Sequence, residues 1–131
     1  MLGMVPLLII PFLLFNLGLA GLFGSADPFS VSLFSATMIS GGVWTMSVGD
    51  SLIVLALVLL FVEMMKSTRT SNASIADHLL STFVFVAYLV EFLLVSGAAQ
   101  PVFFILLVIS LVDVLAGFSV SIRSASRDLN L

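Results

Sequence analysis

Four long apolar runs occupy most of this 131-residue chain, and they limit what it can fold into. They are roughly residues 5–23, 52–65, 79–95 and 102–120, and with their flanks they predict spans at about residues 5–23, 50–66, 77–96 and 101–122. A helix needs about 20 mostly apolar residues to cross a bilayer, and each run approaches or reaches that length. Only 8% of the residues are charged, whereas a soluble domain carries about 25%. We therefore predict an all-α membrane protein with four transmembrane helices in a single transmembrane domain.

The composition excludes several classes of function within these residues. Four predicted spans and short connections leave no room for a nucleotide-binding domain. Four Lys and Arg residues cannot make a nucleic-acid surface. The chain has no Cys, which removes disulfides and thiolate metal sites. A Gly-rich phosphate loop, a catalytic triad and metal-spaced ligands are also missing from the sequence. We therefore expect no enzyme, cofactor, metal site or nucleic-acid partner.

The first run has the position of a signal peptide but lacks its pattern. Residues 1–4 carry no Lys or Arg, and the apolar run is longer than a signal peptide requires. We therefore expect it to remain as a true span. Pro11 lies inside this run and is expected to kink its helix, because proline cannot donate the usual backbone hydrogen bond.

The few basic residues predict the orientation. Lys66 and Arg69 lie between the second and third runs, and Arg123 and Arg127 follow the fourth. With four spans, these two regions face the same side, and the positive-inside rule makes that side cytoplasmic. We therefore predict a multi-pass protein with cytoplasmic N- and C-termini. Trp44 should then lie in the outer interface.

A short helix is predicted in the outer interface over residues 28–40. Asp27 followed by Pro28 is typical of a helix cap with proline at the first helical position, and a glycine pair ends the segment. The alternative is a strand, because residues 29–33 alternate between apolar and polar. The cap signals and the absence of any partner strand favour the helix.

Further helix caps are predicted before the second and third spans. Ser47 and Asp50 have the S-x-x-D spacing, as do Ser74 and Asp77. This spacing is a variant of the capping box, in which side chains accept hydrogen bonds from unpaired backbone N–H groups. On this interpretation both carboxylates, with Asp27, stabilise helix N-termini.

Three other polar residues are assigned to the cytoplasmic interface. Glu63 lies three residues before Lys66 near the end of the second span, so an interfacial pair with a snorkelling lysine is predicted. His78 is the single His and stands at the start of the third span. We interpret it as an interfacial polar residue, because haem and zinc sites need several ligands.

Glu91 and Asp113 lie inside spans among apolar neighbours. They are about 20 Å and 14 Å from the cytoplasmic ends of their helices, where no Lys or Arg is available. We expect both to be protonated, or to be held by water and hydroxyl groups. Tyr88 precedes Glu91 by three residues, Ser110 precedes Asp113 by three, and Asn16 lies deep in the first span. These five residues form the candidate relay for protons or cations.

Three interpretations of Glu91 and Asp113 remain open. Intramembrane acids are usually functional, which favours a proton or cation relay. A protonated carboxyl can equally hydrogen-bond a neighbouring helix and fix its packing. The third interpretation is contact with a polar or basic group of a partner protein.

Two segments carry a family resemblance: SIADHLLST at residues 74–82 and VDVLAGFS at residues 112–119. They resemble short uncharacterised four-span bacterial inner-membrane proteins. The resemblance implies a location in the bacterial inner membrane and implies no activity.

So small a bundle has little interior volume for a solute path. We therefore expect an integral membrane subunit with a structural or accessory role, whose partners are the lipid bilayer and either copies of itself or other membrane subunits. The alternative is a homo-oligomeric proton or cation channel or transporter that uses Glu91 and Asp113.

Overall fold

The computed structural model describes residues 5–21, 27–67 and 72–129. Three of its helices are long and apolar enough to cross a membrane. In chain order the elements are helix α1 (Ile9–Leu19), a 3-10 turn (Pro28–Ser30), strands β1 (Ser32–Thr37) and β2 (Val43–Ser47), helices α2 (Val48–Ser67) and α3 (Asn72–Leu94), a second 3-10 turn (Ser96–Ala98) and helix α4 (Pro101–Leu129).

Helix α1 is much shorter than the predicted first span. It has 11 residues, or about 17 Å of helix, against about 30 Å of bilayer hydrocarbon. The predicted kink at Pro11 is wrong, because the helix begins only two residues earlier, at Ile9. In this first turn the missing N–H of proline has no intrahelical partner to lose. At the other end, Gly21 adopts a positive φ of 91°, which L-residues with side chains disfavour.

The predicted interfacial helix over residues 28–40 is wrong. Pro28–Ser30 forms one 3-10 turn, and β1 then pairs antiparallel with β2. The strand alternative is confirmed in part, because β1 begins at Ser32, near the end of the alternating residues 29–33, and its partner lies directly after the glycine pair. Two alternating runs joined through Gly-Gly are a hairpin signal, which outweighs the Asp-Pro cap signal here.

A tight turn closes the hairpin. The Met38 N–H donates to the Gly42 carbonyl at 2.7 Å, and the Gly41 N–H donates to the Met38 carbonyl at 2.9 Å. Gly41 has a φ of 89°, the left-handed conformation that this kind of three-residue turn requires at its last position. The Asp27 carboxylate accepts a bond from the Ser30 hydroxyl at 2.7 Å instead of capping the backbone.

The two S-x-x-D segments differ in the structure. The Asp50 N–H donates to Ser47 Oγ and the Ser47 N–H donates to Asp50 Oδ2, both at 3.1 Å, which is the reciprocal pattern of a capping box at the start of α2. Helix α3 starts at Asn72, so Asp77 lies in its second turn and the predicted cap there is wrong. The side chain of Ser74 falls outside the described residues.

Helix α4 lies against both α2 and α3, and α1 packs on α2 and α4. At the start of α2, Gly49 makes room for α4, because a Cβ there would lie 2.7 Å from Val102 Cγ2. Phe103 of α4 is fully buried and its ring lies 4.7 Å from Phe15 and 5.4 Å from Tyr88. Aromatic side chains of α1, α3 and α4 thus meet at Phe103, and aliphatic side chains, including Leu52 and Ala56 of α2, complete the core.

Candidate functional site

Lys66 is the centre of a buried polar cluster at one end of the bundle. Its Nζ donates to Glu63 Oε1 at 2.9 Å, to Asp77 Oδ1 at 3.1 Å and to the Val5 carbonyl at 2.6 Å. These contacts join α2, the start of α3 and the segment before α1. The predicted Glu63–Lys66 pair is confirmed, but the two side chains are only 1% and 13% exposed, so the lysine is enclosed by protein and does not snorkel.

Asp113 belongs to the same cluster. It is 6% exposed, is hydrogen bonded to the Ser81 hydroxyl, and interacts electrostatically with Glu63, Asp77 and Lys66. Glu63 Oε1 also accepts the Leu7 N–H at 2.7 Å. The carboxylate cluster therefore brings together residues of α2, α3 and α4, and consists of Glu63, Lys66, Asp77, Ser81 and Asp113.

The carboxylate cluster contains three acids and, among the described residues, one base. Lys66 contacts the Glu63 and Asp77 carboxyl groups, and the Asp113 carboxyl lies close enough to interact with all three side chains. The lysine therefore offsets part of the repulsion among the three acids, which would be severe at so buried a site. Chemically, the arrangement joins carboxyl groups of three helices to one ammonium group.

Glu91 lies in a second polar group, with Asn16 of α1. The Asn16 amide is hydrogen bonded to the Glu91 carboxyl and also donates to the Phe12 carbonyl at 2.8 Å. Glu91 Oε2 is buried and has no hydrogen-bond partner within the described parts of the chain. The Glu91 carboxyl thus has one acceptor oxygen that the surrounding residues do not use.

Tyr88 and Ser110, the predicted partners of Glu91 and Asp113, form hydrogen bonds with other groups. The Tyr88 hydroxyl donates to the Leu8 carbonyl at 2.8 Å, not to Glu91. The Ser110 hydroxyl donates to the Leu107 carbonyl at 2.7 Å, within its own helix. Both side chains are almost fully buried, so each satisfies its hydroxyl by bonding to a backbone carbonyl.

Apolar side chains separate Glu91 from the carboxylate cluster. Glu91 is 14 residues beyond Asp77 on α3, which corresponds to about 21 Å along the helix axis. Val84 of α3 and Leu106 of α4 are buried at intermediate positions, and Phe103 packs on Tyr88. The structure therefore does not bring Glu91 and Asp113 together.

His78 lies beside the carboxylate cluster in sequence but packs elsewhere. Its ring meets Phe118 edge-on at 4.7 Å and fills the space left by Gly117, where a Cβ would lie within 2.7 Å of the ring. Its Nε2 is buried without a hydrogen-bond partner among the described residues. The described residues contain no group of His, Cys, Asp and Glu that could hold a metal ion.

Sequence reasoning missed the convergence of Glu63, Asp77 and Asp113. The signal was present for two of them, because a short connection places the last turn of one helix beside the first turn of the next. Glu63, Lys66 and Asp77 all lie near that connection. The contribution of Asp113 depends on how α4 packs, which the sequence does not reveal.

Three helices of this fold are long and apolar enough to cross a membrane, which fits a membrane protein. Comparison with known protein families, with curated protein sequences and with solved structures finds no match.

Proposed function

We propose that the protein is a small integral membrane subunit with a structural or accessory role in an oligomer or a larger membrane complex. The observation that carries this proposal is that the acids of the carboxylate cluster find their partners within the chain. The core between the cluster and the other end of the bundle is filled by Phe15, Phe103 and Leu106, which are 0–1% exposed. A cluster that is satisfied internally and closed by apolar side chains favours a packing role over a solute path.

We further propose that the segment containing α1 is a fourth membrane crossing. Near one end, the Val5 carbonyl accepts a bond from Lys66 at the cluster. Near the other end, Leu19 meets Gly97, where a Cβ would lie 2.9 Å from the leucine, and Phe15 stacks on Phe29 at 4.3 Å. Residues 5–21 thus follow the bundle between its two ends, which supports four crossings with a short first helix.

The positive-inside rule supports the bacterial inner membrane orientation with both termini in the cytoplasm. Reporter enzymes fused at the N-terminus, at Arg69 and after Leu131 should all report the cytoplasm, and one fused at Ser40 should report the outside. If residues 5–21 do not cross, only the N-terminal fusion changes sides. An outside signal after Leu131 would contradict the proposed orientation.

The subunit role is tested by the mass of the protein purified in mild detergent. We expect a defined assembly above the monomer mass, either of this chain alone or with other membrane subunits in fixed ratio. Native mass spectrometry measures both the mass and the composition. A monomer with no co-purifying subunit, at concentrations where the fold is intact, would contradict the proposal.

The second candidate is a homo-oligomeric proton or cation pathway through Glu91 and Asp113. Two observations favour it: Glu91 Oε2 is buried without a partner among the described residues, and two carboxyl groups contact Lys66 while that of Asp113 lies near them. Intramembrane acids with such vacant acceptors are common in proton and ion paths. For this function, the apolar side chains between Glu91 and the carboxylate cluster would have to move apart.

Isosteric variants separate the two candidates. Under the subunit role, Glu91→Gln and Asp113→Asn keep the shape and most polar contacts, so they should assemble as the parent protein does. Asp113→Leu removes a buried hydrogen bond and should weaken packing by about 0.6 to 2 kcal/mol. Assembly is measured by mass in detergent, and proton flux with a pH-sensitive dye in proteoliposomes. Flux in the parent protein that disappears in the isosteric variants, with assembly intact, would favour the pathway instead.

A further inference from the structure

The β-hairpin has one apolar face and one hydroxyl face, and both are largely exposed. Its register places Phe34 opposite Met46 and Ala36 opposite Trp44, so these four side chains share a face. The rings of Phe34 and Trp44 meet edge-on at 5.0 Å across that face, although each residue remains nearly half exposed. We call it the aromatic face.

The opposite face carries hydroxyl groups at its centre and one apolar side chain near each end. Ser35 lies opposite Thr45, and Thr37 lies opposite Val43 next to the turn. At the base, where the ladder is irregular between Ser32 and Phe34, Leu33 alternates with Phe34 and so lies on this face. Residues 28–49 contain no charged side chain. The hairpin therefore offers no ionic recognition, and its two faces differ only in affinity for water and for apolar surroundings.

The hairpin is held directly at the first residue of α2. Strand β2 ends at Ser47 and α2 begins at Val48, with no loop between them. The Val48 N–H donates to the Val31 carbonyl at 2.9 Å, which ties the base of the hairpin to the start of a helix long enough to cross the membrane. The hairpin thus continues from the end of α2 that lies away from Lys66.

We propose that the hairpin lies on the membrane surface with its aromatic face against the lipid. A two-stranded hairpin is at best marginally stable in water, so burial of this face would stabilise it. Tryptophan is favoured at the level of the lipid headgroups, where its ring contacts acyl chains and its N–H contacts water. The outer strand edges also need water for their backbone groups, which the interface supplies and the hydrocarbon core does not.

The turn supports the same placement. Ile39 stands at its tip and is 107% exposed, as far from the bundle as any residue of the hairpin can reach. This fully exposed isoleucine has no packing partner in the described structure, whereas a lipid surface would cover it. The interaction depends on α2 crossing the membrane and is independent of the proposed subunit role.

Trp44 is the single tryptophan of the chain, so its fluorescence reports directly on this face. The full-length protein is reconstituted in phosphatidylcholine vesicles. We expect blue-shifted emission, strong quenching by lipids brominated near the headgroup end of the acyl chain, weaker quenching by lipids brominated near its methyl end, and little quenching by aqueous iodide.

The matched control moves the tryptophan to the hydroxyl face. The double variant Trp44→Phe with Thr45→Trp should be quenched by iodide and not by brominated lipid, and Ser35→Trp replaces Thr45→Trp if helix content by circular dichroism is lost. Trp44 open to iodide would place the aromatic face in water and overturn the proposal. Protection from both quenchers would mean that protein covers this face, which also overturns it. Equal lipid quenching at both positions would refute the preference for one face.

Discussion

Lys66→Met should destabilise the protein by about 3 to 5 kcal/mol, because it removes the one base that the described residues place beside three buried acids. Most of this loss of folding free energy comes from acids that remain buried beside an uncharged side chain. Much less comes from the lost contacts of the lysine methylene groups. We expect a lower unfolding midpoint when the protein is titrated with SDS in mixed micelles and followed by circular dichroism.

Met65→Ala is the matched control, because Met65 is the preceding residue and is 57% exposed. It should change the midpoint little. Adding Glu63→Gln and Asp77→Asn to Lys66→Met should recover much of the loss, since two of the three buried charges disappear with the lysine. If Lys66→Met alone unfolds like the parent protein, the carboxylate cluster does not hold the helices together.

Phe103→Ala should cost about 3 kcal/mol, because it leaves a cavity where rings of α1, α3 and α4 meet. Phe103 is 0% exposed, and its ring lies 4.7 Å from Phe15, 5.4 Å from Tyr88 and 6.4 Å from Phe92. Lipid is as apolar as this core, so the loss reflects packing and not transfer from water. The same SDS titration measures the loss.

Phe104→Ala is the control for chemistry and position. Phe104 is the next residue of α4 and is 48% exposed, with one ring contact to Phe92 at 5.6 Å. The same atoms are removed, but lipid fills the space that they leave. Equal destabilisation by the two substitutions would mean that the packing around Phe103 does not stabilise the bundle.

The hairpin shows why part of the fold was predicted wrongly from the sequence. Asp27 and Pro28 form a strong local signal for a helix start, and a 3-10 turn does follow them. The outcome over the next residues depends on strand pairing with Val43–Ser47, which is not a local property. The glycine pair between the strands was taken as the end of a helix, although it equally suits a hairpin turn.

The apolar runs by themselves indicated a membrane protein, and three of them form helices that are long and apolar enough to cross a membrane. Local side-chain chemistry also determined the capping box at Ser47 and Asp50, because its bonds join residues three apart. Such features depend on neighbours in sequence, and the sequence contains them.

Tertiary structure alone decided which acids meet. Asp113 is 36 residues from Asp77 and 50 from Glu63, and only the packing of α4 on α2 and α3 brings the three carboxyl groups around Lys66. The tertiary structure likewise keeps Glu91 away from Asp113. The rotation of each helix about its axis depends on how buried side chains such as Phe103 pack against one another, so it is decided only when the helices pack. An apolar run specifies that a helix is surrounded by lipid and protein, but not which of its sides meets which neighbour.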